Sequence, residues 1–378
     1  MGEYLEKLGQ GTYGTVYKFK KEDKLFAIKV FDGENYPGVP SASEMSFAML
    51  FDHPHIIKHE EIMYNPEKGS FKLLMELADT DLETASGLSK EQCYKYFLQL
   101  CSAVKYIHDA NIAHFDIKPT NCLLKDGVLK LCDFGFSCFS FVSNSNVRPT
   151  FGAPETYYIM SDSYRDVHPI YNKTRHCAKA ADIWSLGETF FFMLTGKKMF
   201  EQSRQGMMQK VEFSKHRESY LREHGLLEEE INLLLSLLEV SMNKRAKIDQ
   251  VLGHGLFNGL VLPVYQPLTI PSLSSSKEAQ YDPFVKELDK IKRSWDLCEK
   301  LVCSIKIMYY HLYNKYSTER MLLLGSCFYL CSKLYHGRPI LPSDILFFME
   351  DRYSEMELFL MEKKIFLALG KERIFSLN

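Results

Sequence analysis

Apolar positions along the chain follow two rhythms. Over residues 8–31, LGQGTYGTVYKFKKEDKLFAIKVF, β-branched and aromatic residues come in short runs broken by glycines and by a polar turn at 20–24. That pattern predicts three strands. GVPSASEMSFAML, residues 38–50, predicts a short amphipathic helix that opens with Pro and Ser and carries one acid, Glu44, in its first turns. From Tyr281 onward the rhythm is helical to the end. One segment covers 282–294. A second, 296–314, puts Leu297, Leu301, Ile305, Met308 and Leu312 on one face. A third, ERMLLLGSCFYLCSKLY at 319–335, is apolar nearly all round and predicts a central buried helix, with Gly325 and Ser326 letting neighbours pack close. A fourth begins after Pro342. The fifth opens with a capping box of Ser354 and Glu357, presents Leu358, Met361, Ile365 and Leu369, and ends at Gly370. Before this bundle, LPVYQPLTIPSLSSSK at 262–277 holds three Pro and four Ser, the composition of a linker.

At 378 residues the chain is too long for one compact core, so two or more domains are expected. A composition of 46% hydrophobic and 25% charged residues is that of an ordinary globular protein. A net charge of −2 makes no electrostatic case for nucleic acid or an anionic membrane. No uncharged apolar run reaches the ~18 residues of a membrane span. MGEYLEKLGQ has no apolar signal core, and Glu6 stands where a myristoylation site needs Ser or Thr. The ten Cys show no metal-ligand pairing, so reduced thiols in a cytoplasmic or nuclear setting are expected.

Gly9, Gly11 and Gly14 form G-x-G-x-x-G. A dinucleotide site needs a helix straight after such glycines. Here Thr15-Val16-Tyr17 follows, then a turn and another strand, so the glycines belong to a hairpin whose backbone N–H groups can approach phosphates. Lys29 lies among apolar residues in Phe26-Ala27-Ile28-Lys29-Val30, as an amine seeking a buried anion or as a lysine reaching out from an edge strand. HFDIKPTN at 114–121, DFG at 133–135 and APE at 153–155 follow in order.

With the glycine loop and the lysine, these motifs match the protein-kinase signature set, and residues 1–258 resemble eukaryotic-type protein kinases. DIWSLG at 182–187 and NKR at 243–245 continue the likeness. The resemblance implies an α+β, bilobal protein kinase fold, with a small β-rich lobe (1–77) and a helical lobe (78–258). It also implies ATP and Mg²⁺ as cofactors and a protein substrate. Lys29 would hold the α- and β-phosphates and pair with Glu44. Asn121 and Asp133 would bind Mg²⁺. Asp116 would take or orient the substrate hydroxyl proton, and Lys118, the family's mark for Ser/Thr substrates, would meet the γ-phosphate. Adenine would lie between Val16 and Ala27 above and Leu123 below, with Met75 as gatekeeper and Glu76-Leu77-Ala78 as hinge. Glu155 and Arg245 would form a structural ion pair, and Asp182 would brace the catalytic loop.

Within that family, GVPS before Glu44 resembles the PSTAIRE helix of cyclin-dependent kinases, shortened by two residues. GQGTYG resembles their glycine loop, including the Thr12-Tyr13 pair that is phosphorylated there to inhibit. MELADTDL at 75–82 resembles their hinge, with Asp81 placed toward the ribose. Departures stand beside these matches. Three arginines that cradle an activation-loop phosphate in that subfamily are here Ser43, Phe115 and Cys138, so activation-loop phosphorylation is expected to be dispensable. The usual Thr before APE aligns near Arg148, which leaves the residue preferred next to the phosphosite open. Residues 156–181 read as an inserted surface loop.

SCFYLCSKLYHG resembles the third helix of a cyclin box, and MEDRYSEMELFLMEKKIFLALG its fifth. In cyclins a Lys and a Glu from these helices bind the PSTAIRE segment; here they are Lys333 and Glu362. The likeness covers 281–378, joined through a linker at 259–280. It implies a five-helix cyclin-like domain acting as an intramolecular partner that pushes the Glu44 helix inward, helped by the high effective concentration of a tethered partner. A scaffold without catalysis and an autoinhibitory tail are the alternatives.

Overall fold

A computed structural model describes residues 2–11, 14–31, 44, 51–65, 70–110, 112–139, 151–158, 178–200, 209–210, 212–213 and 215–267. It also describes 305, 309, 320–335, 345–346, 349, 352–354, 357–358, 361 and 365. Thr12, Tyr13, Ser43, Arg148, Glu362 and most of 156–181 lie outside these residues, as do most of the helices expected at 282–314 and after Pro342.

The first third forms one antiparallel sheet. Its strands are β1 (Gly2–Gly11), β2 (Gly14–Lys21), β3 (Lys24–Phe31), β4 (His59–Asn65) and β5 (Ser70–Glu76), in the order β1-β2-β3-β5-β4. The polar turn at 20–24 is a two-residue hairpin loop. Glu22 and Asp23 take φ of 50° and 61° there, the left-handed twist that tight hairpins require. β1 starts six residues earlier than the sequence pattern predicts. Tyr4 pairs with Phe19 across the ladder, and its ring packs edge-on against Tyr17 and Phe19 at 5.5 and 5.1 Å. Those cross-strand contacts extend the strand. Gly14 is fixed by packing, since a Cβ there would sit 2.5 Å from the Val30 carbonyl oxygen.

The second part is mostly helical, with β6 (Thr80–Asp81), β8 (Cys122–Lys125) and β9 (Val128–Leu131) forming a small sheet beneath the first. Helix α1 (Lys90–Asp109) opens with a reciprocal capping box of Ser89 and Gln92. β7 (Ile112–Ala113) follows it and pairs with β10 (Cys138–Phe139). Next come α2 (Pro154–Tyr158) and α3 (Ala178–Thr195). α3 is buried on nearly all sides, with Trp184, Leu186, Phe190 and Phe191 fully buried, as in a central helix. Phe97 of α1 stacks on Phe190 at 4.2 Å between ring centroids. α4 (Arg217–Arg222), α5 (Glu228–Leu237) and α6 (Ile248–Leu252) close this part. The Arg245 guanidinium meets the Glu155 carboxylate with two hydrogen bonds, at 2.6 and 3.0 Å, both groups buried.

The proposed linker is not wholly free. Leu260, Leu262 and Tyr265 pack against the helical core, so the chain up to Pro267 lies on the domain instead of hanging from it. Alternation explains the miss: inward Leu260, Leu262 and Tyr265 are separated by exposed Val261, Pro263 and Val264, and three Pro mask the pattern.

Helix α7 (Arg320–Tyr335) is the apolar helix expected at 319–335. Leu323, Leu324, Cys327 and Phe328 are buried. Gly325 is needed, because a Cβ there would lie 2.1 Å from the Met349 sulfur. The Ser326 hydroxyl donates to the Leu358 carbonyl at 3.2 Å. The capping box forms, with Glu357 N–H donating to Ser354 Oγ and Ser354 N–H donating to the Glu357 carboxylate. Leu358, Met361 and Ile365 are buried as one face. α7 lies against β10, the strand that follows DFG.

Candidate active site

β3 delivers Lys29 into the cleft on the same face as Ala27, because strand side chains alternate. Lys29 is 7% exposed, and its ammonium donates to Glu44 at 2.5 Å and to Asp133 at 3.3 Å. The buried-anion reading of Lys29 therefore holds, and the edge-strand alternative does not. Burial alone would discharge the amine, but Glu44 and Asp133 outweigh it and hold its pKa above the ordinary value. Glu44 is helical and 2% exposed. Burial pushes its carboxyl up to about 7, against the pull of Lys29.

The sign of the resulting pH dependence follows. Between the ordinary 4.5 and about 7 the folded chain keeps a proton on Glu44 that the unfolded chain has lost. Through that window this group makes stability fall as pH rises. The kinase resemblance implies that activity uses the ionised pair, so activity runs the other way. The rate is expected to climb as pH rises through about 7, and a pH–rate profile checks it. The same limb persisting in Glu44→Gln would assign it elsewhere.

Val16, Ala27, Met75, Leu77 and Leu123, the residues expected around adenine, join one apolar cluster with Phe31, Ile57, Leu73 and Cys132. Val16 pairs with Lys29 across the β2–β3 ladder, so the lysine is a direct neighbour of this cluster. At Gly9 a Cβ would meet nothing within 4 Å, so the glycine hairpin leaves open space there, while Gly11 faces the Gly14 backbone. The Glu76 carboxylate meets Lys125 at 2.8 Å and Lys130 at 3.0 Å. Burial would raise its pKa, yet Lys125, the Lys58 N–H and Lys130 hold it below the ordinary value. Asp81 is also occupied locally. One of its oxygens accepts the N–H groups of Glu83 and Thr84 and the other the Thr84 hydroxyl, so it caps a turn, and any ribose contact must share that carboxylate.

The catalytic loop hangs from α3. Asp182, fully buried, accepts the N–H of His114 and of Phe115, both at 2.8 Å, and meets His108 Nε2 at 2.8 Å. Phe115 takes φ 65°, a strain of about 1–3 kcal/mol that these bonds offset. Its ring is 7% exposed and belongs to the helical core, where the family places a cation. Asp116 is 2% exposed. Its carboxylate accepts from Lys118 at 2.7 Å and from Asn121 Nδ2 at 3.0 Å. Burial raises its pKa, with Lys118 opposing. The Asn121 Nδ2 group also donates to the Asp116 carbonyl at 2.8 Å, which fixes the amide.

Asp133 adopts φ 62° and accepts from Gly135 N–H as well as from Lys29. Burial would raise its pKa, but Lys29, His114 and Lys118 hold it below the ordinary value, so it stays ionised. Phe134 is fully buried between Phe51 and His114, at 4.7 and 4.9 Å. The sequence reading did not find that support, nor the His108–Asp182 contact, and no local pattern marks either. Of the two residues that the cyclin resemblance singles out, Lys333 lies on α7 with its side chain outside the described atoms, and Glu362 lies outside them altogether.

A strand-rich lobe that hands a lysine to acids at the edge of a helical lobe is the architecture of the protein kinase class. Residues 3–257 match the protein kinase domain family, more than half of the chain, and the chain belongs to that family. Testis-specific serine/threonine-protein kinase 1 of Mus musculus is 30% identical over 263 residues, covering 65% of this chain and 69% of that protein. A putative serine/threonine-protein kinase, L673, of Acanthamoeba polyphaga mimivirus is 31% identical over 204 residues, 52% of this chain and 36% of its own length. Serine/threonine-protein kinase par-4 of Caenorhabditis briggsae is 29% identical over 275 residues, with shares of 66% and 40%.

Proposed function

We propose that this chain is a protein serine/threonine kinase that transfers the γ-phosphate of ATP to a protein hydroxyl, with its C-terminal helices acting in cis as a cyclin-like activator. The observation that carries the transfer is the contact of Lys29 with both Glu44 and Asp133, which draws strand β3, Glu44 and the DFG loop to one point. Phosphoryl transfer is largely positioning and charge neutralisation, and these residues supply both. Lys29 holds the α- and β-phosphates. Asp116, its carboxylate between Lys118 and Asn121, takes the hydroxyl proton, and Lys118 reaches the γ-phosphate. Asn121 Nδ2 is spent on Asp116, which leaves its amide oxygen as a hard donor, and Asp133 stays ionised. Two oxygen donors suit Mg²⁺, which binds through one or two protein ligands plus phosphates. When bound, it supplies neutralisation of phosphate charge. Among the described residues no cluster of three or more His, Cys, Asp or Glu forms an all-protein cage.

The relatives carry names from several kinase subfamilies, and their serine/threonine specificity supports the substrate class here. The cyclin-dependent subtype rests on this chain's own residues. Burial of Phe115 where that subfamily keeps an arginine supports a loop that works without a phosphate. The position of α7 against β10 supports regulation by the tail. The deciding comparison is the full chain against a chain ending after Pro267, which keeps the anchored segment, on a basic Ser/Thr peptide with no added cyclin. Loss of activity in the shorter chain is expected, with Lys333 and Glu362 next for mutation. Equal activity removes activation in cis, and higher activity makes the tail an inhibitor.

A further inference from the structure

Tyr265 lies beyond the residues matched by the kinase family, which end at 257. Its ring meets His53 edge-on at 4.4 Å and Tyr106 at 5.7 Å. Ser102 Oγ lies 3.3 Å from His53 Nε2. His53 and Ser102 are buried, and Tyr265 is half-buried over them. One segment after the domain thus covers the junction between α1 and the loop at 51–57.

From there the contacts run to the reacting end of the cleft. The Asp52 N–H donates to the Tyr106 hydroxyl at 3.1 Å. Phe51 meets Tyr106 at 6.1 Å and Phe134 at 4.7 Å. Phe134 is the neighbour of Asp133, which faces Lys29. Interiors pack densely and transmit displacement, so a gap under His53 and Tyr106 is felt at Phe51 and Phe134. Edge-on aromatic pairs add specific geometry to that packing.

We propose that Tyr265 is a positioning residue for phosphoryl transfer, a strap that pins the 51–57 loop onto α1 and thereby seats Phe51 under Phe134 and Asp133. The proposal rests on the kinase reading, and its test separates the two. Full-length wild type and Asp116→Asn are assayed first with ATP and a basic Ser/Thr peptide; transfer that depends on Asp116 secures the reading. Tyr265→Ala and Tyr265→Phe follow, in the full chain.

Amide exchange of the nucleotide-free protein is expected to speed about tenfold at 51–57 and 133–136 in Tyr265→Ala, with the α5 amides unchanged. The Mg²⁺ concentration for half-maximal rate is expected to rise several-fold, at unchanged KM for the peptide. A smaller folded fraction would lower the rate but would not move a half-saturation concentration. Tyr265→Phe, which keeps the ring, should stay within twofold of wild type on both readouts. Unchanged exchange at 133–136 together with an unchanged Mg²⁺ requirement in Tyr265→Ala overturns the proposal. If that variant does not fold, Tyr265→Leu, which keeps apolar bulk without the aromatic edge, decides by the same two readouts.

Discussion

Asp116→Asn is expected to lower kcat by about 10²- to 10⁴-fold, the usual contribution of a positioned acid–base group. Nucleotide affinity should hardly change. The amide keeps the shape of the carboxylate, and its oxygen can still accept from Lys118 and Asn121, the two groups that surround Asp116. What is lost is the basic oxygen that receives the hydroxyl proton. The Asp116 backbone N–H donates to His114 Nδ1, and the Asp182 bonds hold the backbone of His114 and Phe115, so the loop itself should survive. Single-turnover transfer to a peptide, with nucleotide binding measured in parallel, checks both halves. A variant that kept a tenth or more of wild-type kcat would remove Asp116 from the chemistry.

Lys29→Met is expected to abolish activity and also to cost stability. The substitution leaves Glu44, 2% exposed, without its cation, and takes from Asp133 the charge that keeps it ionised. Breaking a buried pair on one side costs about 3–5 kcal/mol. Glu44 can relieve part of this by taking a proton, since its carboxyl already titrates near 7, so the loss should lie toward the lower end. Replacing both partners is different. Lys29→Met with Glu44→Leu removes the uncompensated charge and is expected to recover much of the stability while remaining inactive. Denaturant unfolding of the two variants, beside their rates, separates the pair's structural cost from its catalytic use. A single variant as stable as wild type would mean that water reaches this pair freely.

Much of the site could be read along the chain because its chemistry is local. Glycines that permit a tight hairpin, a lysine in the middle of a strand, and an acid two residues from Lys118 and five from Asn121 leave marks in a short window. The same holds for α7, apolar on every side, and for the Ser354 capping box. Other features carry no such mark. Arg245 and Glu155 stand 90 residues apart, and the kinase resemblance pointed to that pair; Lys29 and Asp133 stand 104 apart, and their contact appears only on folding. The stack of Phe51, Phe134 and His114, the His108–Asp182 contact and the cover of Tyr265 over His53 had no local signal. An aromatic or a histidine reads alike whether it fills a core or supports a catalytic loop. The linker was misjudged at 260–265 for the same reason: prolines set a segment's composition, but whether it lies on a surface depends on the pocket it meets. The sequence by itself determined which groups could do chemistry and which segments would bury a face, because backbone preference and hydrophobic period act within a few residues. Only the tertiary structure decided which distant side chains share a buried volume, because dense packing and charge pairing act through space.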